Sequence, residues 1–231
     1  MKLLLFDLDG TIVRTQHSPG LVPFYNEIRA TFDVEVVSNG VRPDGKTDPV
    51  IIAEILERAG SVVRPDPVTL GRFTERYAAR LAAALANGTT RVTAVPGVRA
   101  VLEMLVRDAR FGLAMLTGNL EPAAHLNVRA ADLDRFFAGG AFGSDSAHRA
   151  ALPAIACARF AAATGREVRL TDCVIIGDTP LDHAAAAANG LACVLVASGR
   201  TPMAELEPLG AAAVFPDWSD AAAIHAALAG L

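Results

Sequence analysis

Two aspartates one residue apart, Asp7 and Asp9, stand at the end of the first apolar run of the chain, in the stretch FDLDGT (residues 6–11). Alternation along a strand sends side chains at i and i+2 to the same side. Two carboxylates held that close repel unless a proton or a cation comes between them. A hard divalent ion with oxygen ligands, such as Mg²⁺, removes that cost. One carboxylate can then act as nucleophile while the other carries protons. A plain strand followed by an Asp-Gly turn accounts for the same residues.

Three more stretches hold residues able to do chemistry. MLTGN (residues 115–119) ends an apolar run in Thr117, Gly118 and Asn119. A hydroxyl and backbone amides at a strand end can form a small anion nest, and a capped strand-to-helix turn uses the same residues. In VIIGDTPLDH (residues 174–183), Asp178 can complete a metal site with Asp7, and Asp182 can hold a cation or brace the loop. An N-cap with Pro180 in the first turn also fits, but leaves two acids crowding one sheet edge unexplained. FGSDSAHRAALP (residues 142–153) offers Arg149 near a helix start, as a fixed positive charge or an ordinary surface arginine.

These residues need elements to hold them. Short apolar runs recur at residues 2–6, 112–116, 174–176, 191–196 and 212–215, each followed by turn residues and a helical stretch. Strands alternating with helices predict a doubly wound, Rossmann-like α/β fold with a parallel sheet. Such folds place their sites at the carboxyl ends of strands. Between residues 17 and 91 helical patterns replace that rhythm, at 22–32, 48–59 and 67–86. Ile51, Ile52, Ile55 and Leu56 form one stripe. Asp48 is placed to cap its helix, with Pro49 in the first turn. The expected organisation is a core of residues 1–16 and 92–231, with an all-helical segment, 17–91, inserted after the first strand.

The 231 residues are 52% hydrophobic and carry a net charge of −4, without blocks of like charge. That balance offers nothing to nucleic acid, and the apolar runs are too short for a membrane span. Cys157, Cys173 and Cys193 are isolated and odd in number, with no metal-binding spacing. They read as buried, reduced thiols of a cytoplasmic protein. The sequence leaves the oligomeric state open.

Taken together, DLDGT, LTGN and GDTPLD resemble, in order, the first, second and fourth motifs of the haloacid dehalogenase superfamily, in its phosphatase branch with a helical cap. The resemblance spans nearly the whole chain. It implies that Asp7 is the nucleophile and Asp9 the general acid/base. Mg²⁺ would be held by the Asp7 side chain, the Asp9 backbone carbonyl and Asp178. Thr117, with the backbone at Gly118 and Asn119, would bind the phosphoryl group, and Thr11 and Asp182 would support the site. The third motif is commonly a lysine, yet the two lysines, Lys2 and Lys46, lie elsewhere. Arginine also occurs there, which leaves Arg149 and Arg159; Arg149 is preferred because it follows the FGSD loop.

One stretch competes. GVRPDGKT (residues 40–47) matches the phosphate-binding P-loop pattern, but a P-loop leaves FDLDGT and MLTGN without a role. By similarity to capped relatives, Lys46 would instead touch substrate, with Thr47 and Asp48 ordering the helix. Lys46 or Arg42 would meet the carboxylate of a phosphoglycolate-like substrate. Dehalogenase and phosphonoacetaldehyde hydrolase relatives lack the second aspartate, so Asp9 favours an oxygen leaving group. The expectation is Mg²⁺-dependent hydrolysis of a small phosphorylated metabolite through an aspartyl-phosphate. The rivals are a β-phosphoglucomutase-like sugar phosphomutase, a P-loop nucleotide hydrolase and a non-enzymic phosphate-binding protein.

Overall fold

Leu3, Leu4 and Leu5 are all fully buried, which a strand achieves only when both of its faces are covered. The computed structural model describes residues 1–36 and 41–231. The chain begins with β1 (Lys2–Phe6), β2 (Val13–His17), α1 (Pro23–Phe32), α2 (Asp48–Arg58), α3 (Pro67–Ala86) and β3 (Thr90–Ala94). It continues through α4 (Val98–Arg107), β4 (Phe111–Leu116), α5 (Glu121–Ala130), β5 (Gly140–Ala141) and α6 (Leu152–Thr164). Last come β6 (Cys173–Gly177), α7 (Pro180–Ala188), β7 (Ala192–Val196), α8 (Met203–Leu206), β8 (Ala213–Phe215) and α9 (Ala221–Gly230).

Six strands form one parallel sheet in the order β5-β4-β1-β6-β7-β8, the expected Rossmann-like core. Strand alternation divides its side chains between two layers. Leu4, Phe6, Leu113, Met115, Val174, Ile176 and Val194 join one cluster with Val101 and Leu105 of α4 and Leu228 of α9. Leu3, Leu5, Ala114, Ile175 and Leu195 join the other with Ala156 and Phe160 of α6 and Ala185 of α7. Cutting Leu5 to alanine would cost about 2–5 kcal/mol, the usual range for a buried large-to-small change. The chain moves outward from β1 to β4 and β5, then returns to its other side for β6, so the strand order reverses at β1. A crevice opens at the carboxyl ends of the strands on such a reversal.

Helices α1 to α3 share their own cluster, in which the expected stripe of Ile51, Ile52, Ile55 and Leu56 packs with Ile28, Phe73 and Leu120. Two features differ from the expectation. β2 and β3 pair antiparallel from Val13↔Ala94 to His17↔Thr90, so a ribbon straddles the boundaries drawn at residues 17 and 91. Asp48 does not cap α2: Thr47 holds that position, and its hydroxyl donates to the Ala147 carbonyl (2.9 Å) without accepting an N–H of its own helix. The Asp48 carboxylate instead accepts the Leu120 N–H (2.9 Å), a tertiary partner. All three cysteines are buried and free, and among the described residues no helix is long and apolar enough to cross a membrane.

Candidate functional site

Register brings the motifs together. Phe6 is level with Met115 on one side and Ile176 on the other, so Asp7, Thr117 and Asp178 leave neighbouring strands at one edge. The Asp7 N–H donates to the Ile176 carbonyl (2.9 Å), which extends the β1–β6 pairing up to the acid itself. The chain then turns sharply at Gly10, whose φ is +88° and where a Cβ would stand 2.5 Å from Asp178 Oδ2. Only glycine suits both conditions. That turn carries Thr11 back, so that its hydroxyl donates to Asp178 Oδ1 (2.8 Å) and lies 3.5 Å from Asp7 Oδ2. Trp218 Nε1 donates to the Thr11 carbonyl (2.9 Å), anchoring the loop from the core side.

Three buried carboxylates face one buried cation here. Oxygens of Asp7, Asp178 and Asp182 all lie within 4.8 Å of one another. Arg149 Nη2 donates to Asp7 Oδ1 (2.7 Å) and to Asp182 Oδ1 (2.5 Å). The other Asp182 oxygen accepts the Thr179 N–H (3.0 Å) and hydroxyl (2.7 Å), closing a capping box at the start of α7. Burial pushes Asp7 up to about 7, against the pull of Arg149. Burial likewise pushes Asp178 up to about 8, helped by repulsion from Asp7 and Asp182. The guanidinium is costly to bury, yet Asp182 and Asp7 raise its proton affinity further. Of the two arginines named from sequence, Arg149 is the one brought to the acids. Arg159 pairs with Asp145 (2.7 and 2.5 Å) and the Gly140 carbonyl (3.1 Å).

Asp9 opens into the cleft above this cluster. Surrounding protein holds its carboxyl above the ordinary value, against hydrogen bonds from Asn119 and Thr15. Asn119 Nδ2 donates to Asp9 Oδ2 (2.8 Å), and the Thr15 hydroxyl approaches Oδ1 at 3.4 Å. Thr117 is buried, and its hydroxyl accepts the Asn119 N–H (3.2 Å). Gly118 lets α2 come close: its carbonyl accepts the Asp48 N–H (2.7 Å), and a Cβ there would strike the Lys46 carbonyl. The cleft has a volume of about 570 Å³ and is lined by Asp7, Asp9, Thr117, Arg149 and Asp178 and by the aromatic and apolar side chains of Phe24, Tyr25, Ile51 and Tyr77.

Lys46 lines the cleft, but its ammonium is held by both oxygens of Glu54 at 2.7 Å. Arg42 lines a second, surface hollow beside Lys46, Glu54 and Glu57. The P-loop pattern begins at Gly40, outside the described residues, and residues 33–36 before it form no strand. Asn127, Tyr77 and His17 also line the cleft, and sequence reasoning did not find them. For His17 a signal existed, since strand alternation puts it on the same face as Thr15 and Val13. Asn127 and Tyr77 lie on helices with nothing local to tie them to the acids.

The donor set tests the fit of a metal. It is all oxygen and carries a surplus of buried negative charge over Arg149, as a hard divalent cation such as Mg²⁺ requires.

A family model described as haloacid dehalogenase-like hydrolase matches residues 4–187. No curated protein matches the chain. Among solved structures, CbbY from Rhodobacter sphaeroides in complex with phosphate is 20% identical, with 95% of each chain covered and a TM-score of 0.68. A hydrolase from Pseudomonas syringae is 22% identical, again over 95% of each chain, with a TM-score of 0.66. A predicted phosphoglycolate phosphatase from Haemophilus somnus is 21% identical over 97% of each chain, with a TM-score of 0.60. At such identities the three structures establish a shared fold, and the family match, which spans most of the sequence, establishes kinship: the chain belongs to the haloacid dehalogenase-like hydrolases.

Proposed function

We propose that the protein is a Mg²⁺-dependent phosphatase that hydrolyses a small phosphate monoester through an aspartyl-phosphate on Asp7. The observation that carries this reading is the convergence of Asp7, Asp178 and Asp182 oxygens within 4.8 Å at one sheet edge, with Asp9 two residues on. Asp7 and Asp178, with the backbone carbonyl of Asp9, would hold the ion, which when bound supplies positive charge against the carboxylates and the phosphoryl oxygens.

The phosphoryl group enters between Asp7, Thr117 and Arg149. An Asp7 oxygen attacks phosphorus, the ester P–O bond breaks, and Asp9 gives its proton to the leaving oxygen. Asp9 then takes a proton from water as that water attacks the aspartyl-phosphate, which frees phosphate and restores Asp7. A carboxyl held above its ordinary value suits a group that must carry a proton in one step and lose it in the next. Arg149 fixes Asp7 in line and offsets phosphoryl charge. Residues 17–91 act as a cap over the cleft, with Phe24, Tyr25 and Tyr77 excluding bulk water. Phosphoglycolate-like acids are the substrates to try first; for Lys46 to reach their carboxylate it must exchange its bond to Glu54.

The test is a panel of phosphorylated metabolites assayed for released phosphate, with and without Mg²⁺, on the wild type and Asp7→Asn. Sustained Mg²⁺-dependent release that Asp7→Asn abolishes supports the reading. Full turnover by Asp7→Asn refutes it, and isomerisation of a sugar phosphate without net release would mark a mutase.

A further inference from the structure

Asn127, on α5, is only 5% exposed and lines the cleft. Its Nδ2 donates to Asn119 Oδ1 (3.2 Å), and Asn119 Nδ2 donates to Asp9 Oδ2 (2.8 Å). We propose that Asn127 is a positioning residue: it fixes the orientation of the Asn119 amide and thereby aims Asp9 at the leaving-group oxygen. The inference rests on the reading of Asp9 as the general acid.

The direction of each amide follows from Asp9. Ionised, the Asp9 carboxyl only accepts hydrogen bonds, and with its acid proton on Oδ1 it still accepts through Oδ2, the oxygen that faces Asn119. Asn119 must therefore turn its NH₂ toward Asp9 and its oxygen away. That oxygen needs a donor, and Asn127 provides one. With an acceptor at residue 127, the Asn119 amide would be driven to flip, setting its oxygen against the Asp9 carboxylate. Because O and N of an amide are told apart by their partners, the chain of three side chains has one consistent arrangement. Among the described residues the only other side chain bonded to Asp9 is Thr15, at a longer 3.4 Å, so the Asn119 amide is the firmer hold on the acid.

Asn127 keeps this place at a cost. Its Oδ1 is buried and finds no partner among the described residues. A half-satisfied amide is worse for folding than an apolar side chain of its size. Its neighbours on the buried face of α5 are Ala123, Ala124 and Val128, so alanine would be an easier occupant. Buried polar groups left partly unsatisfied are rare in folded proteins and call for a reason; the reason here is the donor that Asn119 needs.

A general acid matters in proportion to how badly the leaving group needs a proton. An alkoxide is a poor leaving group without one, whereas p-nitrophenolate departs unaided. The experiment measures kcat/KM for an alkyl phosphate and for p-nitrophenyl phosphate, since kcat/KM reports the step in which the ester bond breaks. The enzymes compared are the wild type, Asn127→Ala, the isosteric Asn127→Asp and Asp9→Asn, each checked for folding by its melting temperature. Both Asn127 variants should lose about tenfold or more on the alkyl ester and less than about twofold on the aryl ester, a fraction of the full general-acid contribution. Asp9→Asn should show the same selectivity at larger size. Equal loss on both esters, or no loss on either, in the Asn127 variants overturns this inference and leaves the phosphatase reading standing. A wild type that releases phosphate from neither ester, or an Asp9→Asn enzyme without selectivity, overturns the reading on which it rests.

Discussion

Glu27 and Asp7 are both buried carboxylates, and the charge around them is balanced in opposite ways. Glu27 on α1 accepts from Arg80 Nε (3.0 Å) of α3 and from the Thr31 hydroxyl (2.7 Å), and forms an ion pair with Arg76 Nε of α3 (2.9 Å). One acid there has two cations, and its arginines reach out to solvent. At the sheet edge, three acids crowd together and, among the described residues, one guanidinium, that of Arg149, pairs with two of them, Asp7 and Asp182. Burying a charge is tolerated when its partners are complete. The first cluster is complete and fastens two helices together. The second is not, and a dianionic phosphate ester entering it would meet the same surplus of negative charge. The incomplete cluster is therefore the one that calls for a cation before substrate, and the complete one calls for nothing.

The sharpest break between the two clusters is in turnover. Asp7→Asn keeps the shape of the side chain and removes the proposed nucleophile, and kcat should fall by at least about 10³-fold. Glu27→Gln should leave kcat within about twofold. Steady-state phosphate release measures both. Comparable losses in the two variants would mean that the Asp7 carboxylate serves the fold and not the chemistry.

Metal addition separates them next. With Mg²⁺ at about 100 times its dissociation constant, the folded state gains about 2.7 kcal/mol, a rise in melting temperature of about 5 °C or more for a chain of this size. Asp178→Asn should lose that rise; Glu27→Gln should keep it. Ligand carboxylates must be deprotonated to bind. Asp178 is raised to about 8 and Asp7 to about 7, so the rise should be largest above pH 8 and shrink as pH falls through 7. A Mg²⁺ effect that is flat from pH 6 to 9 would place the ion elsewhere.

These clusters also show what the sequence could and could not disclose. Asp7, Thr117 and Asp178 were legible because each follows a continuous apolar run, and strands buried on both faces leave that mark locally. The ribbon of β2 and β3 was not: VRTQH is polar at every residue after Val13, TRVTA begins with two polar residues, and each is explained only by the other, more than seventy residues away. β5 is two residues long, below any periodic signal. Asp48 before Pro49 satisfied every local rule for a helix cap. A backbone N–H seventy-two residues away, on Leu120, won the carboxylate instead, because propensity yields to a buried tertiary partner. Asn127 was invisible for the same reason: its meaning lies in Asn119 and Asp9, and neither is its neighbour in sequence.

Asp48 falls between the two clusters, since among the described residues its carboxylate has one N–H donor and no cation. Burial raises its carboxyl to about 7, with the Leu120 hydrogen bond opposing. A carboxyl that ionises near 3.8 when unfolded and near 7 when folded binds more protons in the folded state between those values. Its contribution to stability therefore falls as pH rises from about 4 to 7 and is level above that. Asp48→Asn keeps an oxygen for the Leu120 N–H and removes the charge. In Mg²⁺-free buffer it should be more stable than the wild type by about 2 kcal/mol at pH 8, with the gap narrowing toward pH 5. Thermal melts across that range decide the matter, and a gap that widens as pH falls would show that the ionised form is the one the fold prefers.

The smallest effect belongs to the complete cluster. Glu27→Gln removes the charge from a side chain that is 1% exposed, while its partners are 55% and 42% exposed and can turn to water. Solvent takes up most of what the two ion pairs lose, so the cost should be about 1 kcal/mol, read as a modest drop in the denaturation midpoint with an unchanged slope. Because α1 and α3 also share Ile28, Phe24, Phe73 and Tyr77 in one apolar cluster, their packing should survive the change. A loss several times larger would mean that Glu27 is not fully compensated after all, and that the count of cations per buried acid does not separate a structural carboxylate from a functional one.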